Sequence, residues 1–473
     1  MRGLRRNSAI VACLAKRVLT PALLFGLAAF VTTTSVAQNF SANLANIPGQ
    51  TALQERVGAG IAATCANLAA NPGLRPAASV AEDLFFRCRE MVQNANGLAT
   101  ALGFGTPALP SGFSLGMTSA QLNGVLNDIA HDEAAAQGAN STQNSDIQVE
   151  NLSGRLSALR GGAGGISTAG LSIRDSSGQI VSTGVAAGDE DDTVSKLGLF
   201  ITGDYSFGED DGSAEESGYE FDGFGLTGGL DYQVNDNFIA GVAVGYSQTD
   251  NDFDQDNGEL NQDTYSLSAY GSVYSGSLYF DGVIGYAFSD LDIDRNIVYP
   301  TIVRNAAGET DGEEFSASGA VGYDISKGAW SFGPFARLSF VDTDLDAYSE
   351  TGAAGLNLSV ADQNIQSLES TIGSDVSYSH STSFGVVIPQ IRLEWAHEFD
   401  DDSRQISARY TNDPAAIPIF IRTDSPDRTY FNLGGGLSAL FASGKTAFAE
   451  VETVLGREDY EKYTFKIGAR FEL

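Results

Sequence analysis

Apolar and polar residues alternate without interruption at the end of the chain, in the stretch YTFKIGARFEL at 463–473. Successive side chains of a β-strand point to opposite faces, so this pattern predicts a strand with one apolar and one polar face. The same period of two recurs from Lys196 onward. We predict twelve strands, at 197–207, 219–233, 237–249, 263–275, 277–291, 314–326, 329–344, 366–380, 384–399, 428–442, 445–456 and 462–473.

The connections between these strands alternate in length. Short turns such as NDN at 235–237 follow long, polar loops such as GEDDGSAEESG at 208–218. We expect another long loop, of about twenty residues, through RNIVYPTIVRNAAGETDGE. To keep this rhythm we assign QISARY at 405–410 to one loop at 400–427 rather than to a thirteenth strand. Long strands with short turns at one end and long loops at the other are typical of a transmembrane β-barrel.

The two faces of the predicted strands then have different surroundings. A soluble sandwich would place the polar face outside, and it is the alternative fold. We favour a barrel whose polar face lines a lumen and whose apolar face contacts lipid. Glu450 and Glu452 lie on the strand beside Lys466 and Arg470, so these charges could pair. The alternation predicts lumen-facing charges at Arg337, Arg392, Glu450, Glu452, Lys466 and Arg470.

The N-terminus has the pattern of a secretory signal peptide at residues 1–37. Basic residues precede a short apolar run at 18–30, and small residues at Ser35 and Ala37 predict cleavage between Ala37 and Gln38. An apolar run of this length is too short for a membrane-spanning helix, which needs about 20 residues. The chain is therefore expected to be exported.

Residues 38–160 show helical spacing, and we treat them as one N-terminal region. Cys65 and Cys88 remain after signal removal, and an isolated pair in an oxidising compartment predicts a disulfide that joins two helices. The Gly- and Ser-rich residues 161–195 predict a flexible linker in or near the barrel lumen, and display of the N-terminal region would require 145–192 to fill the lumen. Residues 196–473 form the predicted barrel.

The composition excludes several classes of function. A formal charge of −33 disfavours nucleic acid as a partner. The glycines at 223, 225 and 228 resemble a dinucleotide fingerprint but lie inside a predicted strand, so we predict no cofactor. The chain has no Gly-x-Ser-x-Gly motif, and its three histidines are scattered. We therefore predict neither an enzyme nor a metal site.

Four segments together resemble the β-domain of autotransporters of Gram-negative bacteria. They are GLFITGDYSF, FDGFGLTGGLDYQVNDNFIAGVAVGYS, LSAYGSVYSGSLYFDGVIGYAFSD and IPQIRLEWAHEF, followed by the aromatic-rich last strand. The resemblance covers about residues 196–473 and implies a twelve-stranded outer-membrane barrel with a segment threaded through its lumen. It also implies type V secretion, and folding by the barrel assembly machinery through a signal that we assign to Phe465, Ile467, Phe471 and Leu473.

The resemblance leads to one main functional hypothesis and two alternatives. The main hypothesis is a monomeric barrel in the outer membrane that translocates or displays its own N-terminal region. Its expected partners are outer-membrane lipid, lipopolysaccharide, periplasmic chaperones and the barrel assembly machinery. The alternatives are a structural protein whose helical region stays in the periplasm or plugs the barrel, and a passive pore. Residues 38–195 show none of the β-helix repeats typical of autotransporter passengers.

Overall fold

The computed structural model describes residues 42–106, 112–160, 197–441 and 445–472, and a short strand pair formed by Ile173–Arg174 and Ile180–Val181. The predicted signal peptide with its cleavage site, most of the predicted linker, and Leu473 lie outside the described residues. Within the described ranges, the chain forms four α-helices followed by an antiparallel β-barrel.

Polar side chains fix the starts of the helices. The Thr51 hydroxyl accepts a hydrogen bond from the Gln54 amide at 3.3 Å, and the Gln54 side chain accepts one from the Thr51 amide at 2.9 Å. Thr118 and Gln121 make the same capping box, as their spacing predicts. The helices are α1 (Ala52–Ala70), α2 (Val80–Leu102), α3 (Ser119–Ile129) and α4 (Glu133–Arg160), with 3₁₀ turns at Ala42–Ala45 and Pro72–Leu74.

The barrel consists of twelve long strands in the described part of the chain, and all twelve predicted strands are confirmed. Each strand pairs antiparallel with the next, and the last strand closes the barrel on the first, with Phe465 opposite Tyr205. The strands are β1 (Leu197–Asp210), β2 (Tyr219–Asn235), β3 (Phe238–Phe253), β4 (Gly258–Ser275), β5 (Leu278–Tyr299), β6 (Ile302–Tyr323), β7 (Trp330–Leu345), β8 (Gln363–Tyr378), β9 (Gly385–Glu398), β10 (Thr429–Phe441), β11 (Thr446–Leu455) and β12 (Tyr460–Glu472).

The outer face of the barrel is apolar over a defined height. On β5, the outward side chains from Leu278 to Phe288 are apolar or glycine, and the next outward residues are Asp290 and Asp292. This apolar part extends about 33 Å along the strand, which is about 25 Å across a membrane at the usual strand tilt. Outward carboxylates also face each other across strands, as in the pair Asp222 and Asp250. Because carboxylates avoid hydrocarbon, they mark one edge of the lipid-facing band.

The long connections are more regular than the sequence suggested. We call the end of the barrel that carries them the loop end, and the opposite end the turn end. The expectation of a twenty-residue loop between the fifth and sixth strands is wrong, because β5 extends to Tyr299 and β6 begins at Ile302. The acidic loop after β3 likewise shrinks to a turn at Asp254–Asp256. Acidic residues are poor strand formers, but pairing with a neighbouring strand outweighs that preference.

A separate small sheet lies at the loop end, and we call it the cap sheet. It contains the stretch QISARY, which therefore forms a strand outside the barrel and within the predicted long loop. The strands of the cap sheet are Tyr348–Ser349, Leu358–Val360, Gln405–Tyr410 and Pro418–Arg422.

The helices α1, α2 and α3 form one hydrophobic core with the cap sheet. Ile61, Leu84 and Leu126 of the helices belong to the same buried cluster as Leu358 and Ile419 of the cap sheet. At Gly60 of α1, an added Cβ would lie 2.8 Å from the Ile419 side chain. The helical domain, defined as α1–α3, is therefore docked on the loop end.

Candidate functional site

The lumen of the barrel holds the helix α4. Asn151 donates hydrogen bonds to Asp204 of β1 and Thr227 of β2, both at 3.2 Å. On other sides of the lumen, Ser145 bonds to Glu314 of β6, and Lys466 of β12 bonds to Glu150. Contacts with strands on several sides of the helix show that α4 runs inside the barrel.

The direction of α4 is fixed by contacts at its two ends. Near its N-terminus, Gln137 accepts a hydrogen bond from Gln363 at 3.0 Å, and Gln363 begins β8 at the loop end. At its C-terminus, Arg160 bonds to Asp281 near the start of β5, at the turn end. A helix of 28 residues is about 42 Å long. It therefore passes through the lumen from the loop end to the turn end.

Two buried ion pairs hold the C-terminal half of α4. Arg155 makes a bidentate contact with Asp231 of β2, with nitrogen–oxygen distances of 2.7 and 2.9 Å, and both side chains are at most 4% exposed. Arg160 lies 2.6 Å from Asp281 and stacks on Tyr279, with 3.6 Å from its Cζ atom to the ring centroid. Removing one partner of such a pair leaves an uncompensated buried charge, which costs about 3–5 kcal/mol.

The structure places the six charges predicted to face the lumen against other inward side chains, and one of the suggested pairs forms, between Lys466 and Glu452. Lys466 bonds to Glu150 of α4 and lies 3.7 Å from Glu452. Glu450 accepts a hydrogen bond from Gln390. Of the remaining residues, Arg337 donates to Glu394 at 3.3 Å, Arg392 donates to Asp375 at 2.8 Å, and Arg470 lies over the Phe448 ring at 4.5 Å.

The predicted assembly signal occupies the outer face of β12. Phe465, Ile467 and Phe471 are 47%, 65% and 36% exposed, respectively. Their side chains therefore lie on the lipid-facing side of the closing strand. Leu473 is outside the described residues, so the geometry concerns the other three.

A cavity of about 770 Å³ lies beside α4 at the loop end. Glu216 in the loop between β1 and β2 lines it, and burial raises the pKa of this carboxyl to about 8. The rest of the wall includes many charged side chains, among them Asp146, Glu369, Glu398, Arg404 and Lys462. Within the described ranges, no group of three or more His, Cys, Asp or Glu side chains is arranged to hold a metal ion.

Arg295 of β5 joins the helical domain to the segment between the first two strands of the cap sheet. Its guanidinium, 1% exposed, donates to both carboxylate oxygens of Glu350, at 3.0 and 2.6 Å. It also donates to the backbone oxygen of Leu356 at 3.1 Å and to that of Asp128, in the last turn of α3, at 3.0 Å. The sequence reasoning missed this residue because it lies in the segment that was assigned to a loop.

The structure contains the predicted disulfide between Cys65 of α1 and Cys88 of α2, with 5.6 Å between the Cα atoms. Both cysteines are fully buried in the core of the helical domain.

At the corner between α3 and α4, burial lowers the pKa of the His131 imidazole to about 3. Among the described helices, none combines the length and the apolar character needed to cross a membrane.

The fold and the lumen define a class, namely a transmembrane β-barrel that encloses a helix of its own chain. Residues 199–452, more than half of the chain, match the family model described as autotransporter beta-domain. The chain therefore belongs to the autotransporter family. Membership places it in the outer membrane as a monomeric barrel.

Known proteins are similar to part of this chain. Esterase EstA of Pseudomonas aeruginosa is 26% identical over 207 residues, which cover 42% of this chain and 31% of the esterase. Outer membrane protein A of Rickettsia conorii is 24% identical over 265 residues, which cover 54% of this chain and 13% of that protein. This chain thus spans less than a third of either relative, and the esterase name describes the whole relative.

A solved structure shares the fold. The translocator domain of autotransporter NalP from Neisseria meningitidis superposes with a TM-score of 0.51 and 16% sequence identity, covering 72% of this chain and 99% of that one. The expectation that this chain is not an enzyme stays a prediction.

Proposed function

We propose that the barrel anchors this chain in the outer membrane and displays the helical domain at the cell surface after translocating it. The single observation that carries the proposal is the direction of α4. Its first turn lies at the loop end beside the helical domain, and Arg160 lies at the turn end, where β1 begins. In outer-membrane barrels the long loops face outward and the short turns face the periplasm.

The packing of the helical domain supports its retention after export. Asp83 of α2 makes a bidentate contact with Arg304 of β6, and Arg56 of α1 pairs with Glu215 in the loop after β1. The Leu53 amide donates to the Ala214 backbone oxygen at 3.0 Å. Together with the apolar core shared with the cap sheet, these contacts favour a domain that stays attached rather than one that is released.

The orientation is testable with single cysteines and a membrane-impermeant maleimide on intact cells. Gly73→Cys places a thiol in the exposed turn between α1 and α2, where an added Cβ meets no atom within 4 Å. Lys327→Cys is the matched control, exposed in the short turn between β6 and β7. Cys65 and Cys88 are joined in the disulfide and do not compete for the reagent, and the third cysteine, Cys13, leaves with the proposed signal peptide.

We expect Gly73→Cys to react on intact cells and Lys327→Cys to react only after the outer membrane is permeabilised. Labelling of Gly73→Cys only after permeabilisation would contradict display. That result would favour the alternative in which the helical domain stays in the periplasm.

Export and assembly form the second part of the proposal. Residues 1–37 act as a signal peptide that is cleaved between Ala37 and Gln38. The barrel assembly machinery receives the chain from periplasmic chaperones and binds the C-terminal signal formed by Phe465, Ile467, Phe471 and Leu473. The outward position of the first three on the closing strand supports this role, because they are accessible before lipid surrounds them. Lipopolysaccharide is the proposed neighbour of the barrel at the loop end.

A passive pore is a second candidate function, and the cavity beside α4 is the observation in its favour. Conduction would require a continuous aqueous path past the helix. The ion pairs of α4 oppose such a path by keeping the helix seated in the lumen.

A further inference from the structure

A cluster of arginine and phenylalanine side chains covers one face of α2. The Cζ atom of Arg75 lies 3.8 Å from the centroid of the Phe85 ring. The Cζ atom of Arg89 lies 3.5 Å from the Phe113 centroid and 4.7 Å from the Phe86 centroid. We call these five residues the Arg–Phe stack.

The Arg–Phe stack faces away from the barrel. Asp83 of α2 bonds to Arg304 of the barrel, and Arg87 and Glu90 bond to Thr301 in the β5–β6 turn. Because successive helical residues are rotated by about 100°, Phe85 and Arg89 lie roughly opposite this barrel-facing side. Phe86 and Phe113 are exposed on the outer side of the helical domain, whereas Phe85 is only 5% exposed and belongs to the hydrophobic core beneath them.

The two guanidinium groups of the stack lack carboxylate partners within the part of the chain that the structure describes. Arg87, on the same helix, is instead paired with Asp83 at 3.2 Å and Glu90 at 2.9 Å. The Arg89 Nε atom is buried and has no hydrogen-bond partner among the described residues. The chain as a whole carries a formal charge of −33, so these two cations differ in sign from most of its surface. They form a local positive surface suited to an anionic ligand.

The aromatic rings indicate which class of anionic ligand would fit this surface. Phe86 and Phe113 remain 38% and 48% exposed, and Leu74, next to Arg75 in the chain, is 37% exposed. A small anion would contact only the guanidinium groups and leave this apolar surface in water. A sugar ring that carries a sulfate or carboxylate group can stack its apolar face on phenylalanine while arginine binds the anion.

We propose that the Arg–Phe stack binds acidic polysaccharides, in which sugar rings carry sulfate or carboxylate groups. Ligand binding would be a further function besides anchoring and display. It can be measured on the purified protein, whichever side of the membrane the helical domain occupies. Arginine supplies both the ring stacking and the forked hydrogen-bond geometry that such groups require.

The experiment measures binding of the full chain in detergent micelles to immobilised dextran sulfate, with unmodified dextran as the neutral reference. Arg75→Gln and Arg89→Gln each remove one cation of the stack. Arg87→Gln is the matched control, because it removes the same charge from the same helix outside the stack. We expect each stack variant to weaken binding about tenfold, the loss of one charge-assisted hydrogen bond, and the control to change it less than about twofold.

A second variant keeps the test valid if an arginine substitution disturbs folding. Phe113→Ala removes an exposed ring and no charge, and we expect it to weaken binding several-fold while the circular dichroism spectrum stays unchanged. The proposal is overturned if wild-type protein binds dextran as well as dextran sulfate. It is also overturned if Arg87→Gln weakens binding as much as the stack variants, or if polyglutamate competes as well as dextran sulfate does.

Discussion

Replacing Arg295 of β5 by methionine removes the residue that joins the end of α3 to the segment between the first two strands of the cap sheet. The guanidinium makes four hydrogen bonds, two to Glu350, one to the Leu356 backbone and one to the Asp128 backbone. Methionine fills much of the same volume but donates no hydrogen bond. The variant therefore leaves Glu350, 3% exposed, without its cation and leaves the α3 carboxyl end without a donor.

The size of the effect follows from burial. Breaking a buried ion pair by removing one partner costs about 3–5 kcal/mol, which corresponds to an increase of at least about a hundredfold in local opening. Arg304→Met is the matched control, because Arg304 also joins the barrel to the helical domain through a bidentate contact, here with Asp83. Those side chains are 20% and 24% exposed, so the expected cost is only about 0–1 kcal/mol.

Hydrogen exchange of the α3 amides in the full chain measures this opening. We expect the α3 amides of Arg295→Met to exchange at least about a hundredfold faster than those of wild type, and those of Arg304→Met to change less than about fivefold. The double variant Arg295→Met with Glu350→Met should recover much of the protection, because neither charge is then left alone. Equal effects of the two single variants would refute the argument from burial.

Three further predictions concern other parts of the molecule. Replacing Cys65 and Cys88 by alanine should lower the free energy of unfolding of the helical domain by about 3 kcal/mol, measured by denaturant titration, because the disulfide closes a 23-residue separation. Arg155→Gln should loosen α4 and produce larger and more frequent channel openings in planar bilayers than wild type does; unchanged currents would argue against the role of its ion pair. Burial lowers the pKa of His131 from 6.5 to about 3, so the stability that its neutral form contributes is complete above pH 6.5 and is lost on acidification. Burial raises the pKa of Glu216 from 4.5 to about 8, so the stability that its protonated form contributes is lost as the pH rises. Between pH 7 and 5, His131→Asn should therefore gain about 2 kcal/mol relative to wild type, and parallel pH curves would contradict this.

The barrel could be predicted from the sequence because its two determinants are local. Alternation defines a strand wherever one face meets lipid, and the short turns carry residues such as Gly276 with a positive φ. The strand extensions at the loop end were missed because their outer face is acidic, as at Asp292 and Glu309, even though Ile293 and Ile297 on the inner face of β5 are buried in the hydrophobic core. A run of acidic residues is also typical of a solvated loop, so it obscures the alternation that marks these extensions as strands.

The lumen was harder to predict because its content is not local. The spacing of Ile147, Leu152, Leu156 and Leu159 predicts a helix, but the preceding turns from Gln137 to Asp146 contain only polar residues, glycine and one alanine. A helix that is polar all round usually has no packed partner, whereas here the surrounding lumen is itself polar. The expectation that residues 145–192 fill the lumen therefore began too late, and its part beyond 160 lies outside the described residues, except for the strand pair.

The pairing of the lumen charges was also hard to predict, because it too depends on residues that are not local in the sequence. Glu450 and Lys466 are direct register neighbours on β11 and β12, so the strand pattern alone suggests that they pair. The structure joins Lys466 to Glu150 and, at 3.7 Å, to Glu452, because the helix supplies a second carboxylate within the space that the strands enclose. Alternation determines whether a side chain faces the lumen or the lipid, but the partner of a lumen-facing side chain depends on what occupies the lumen. For a barrel with an occupied lumen, charges on the enclosed helix must therefore be assigned before those on the wall.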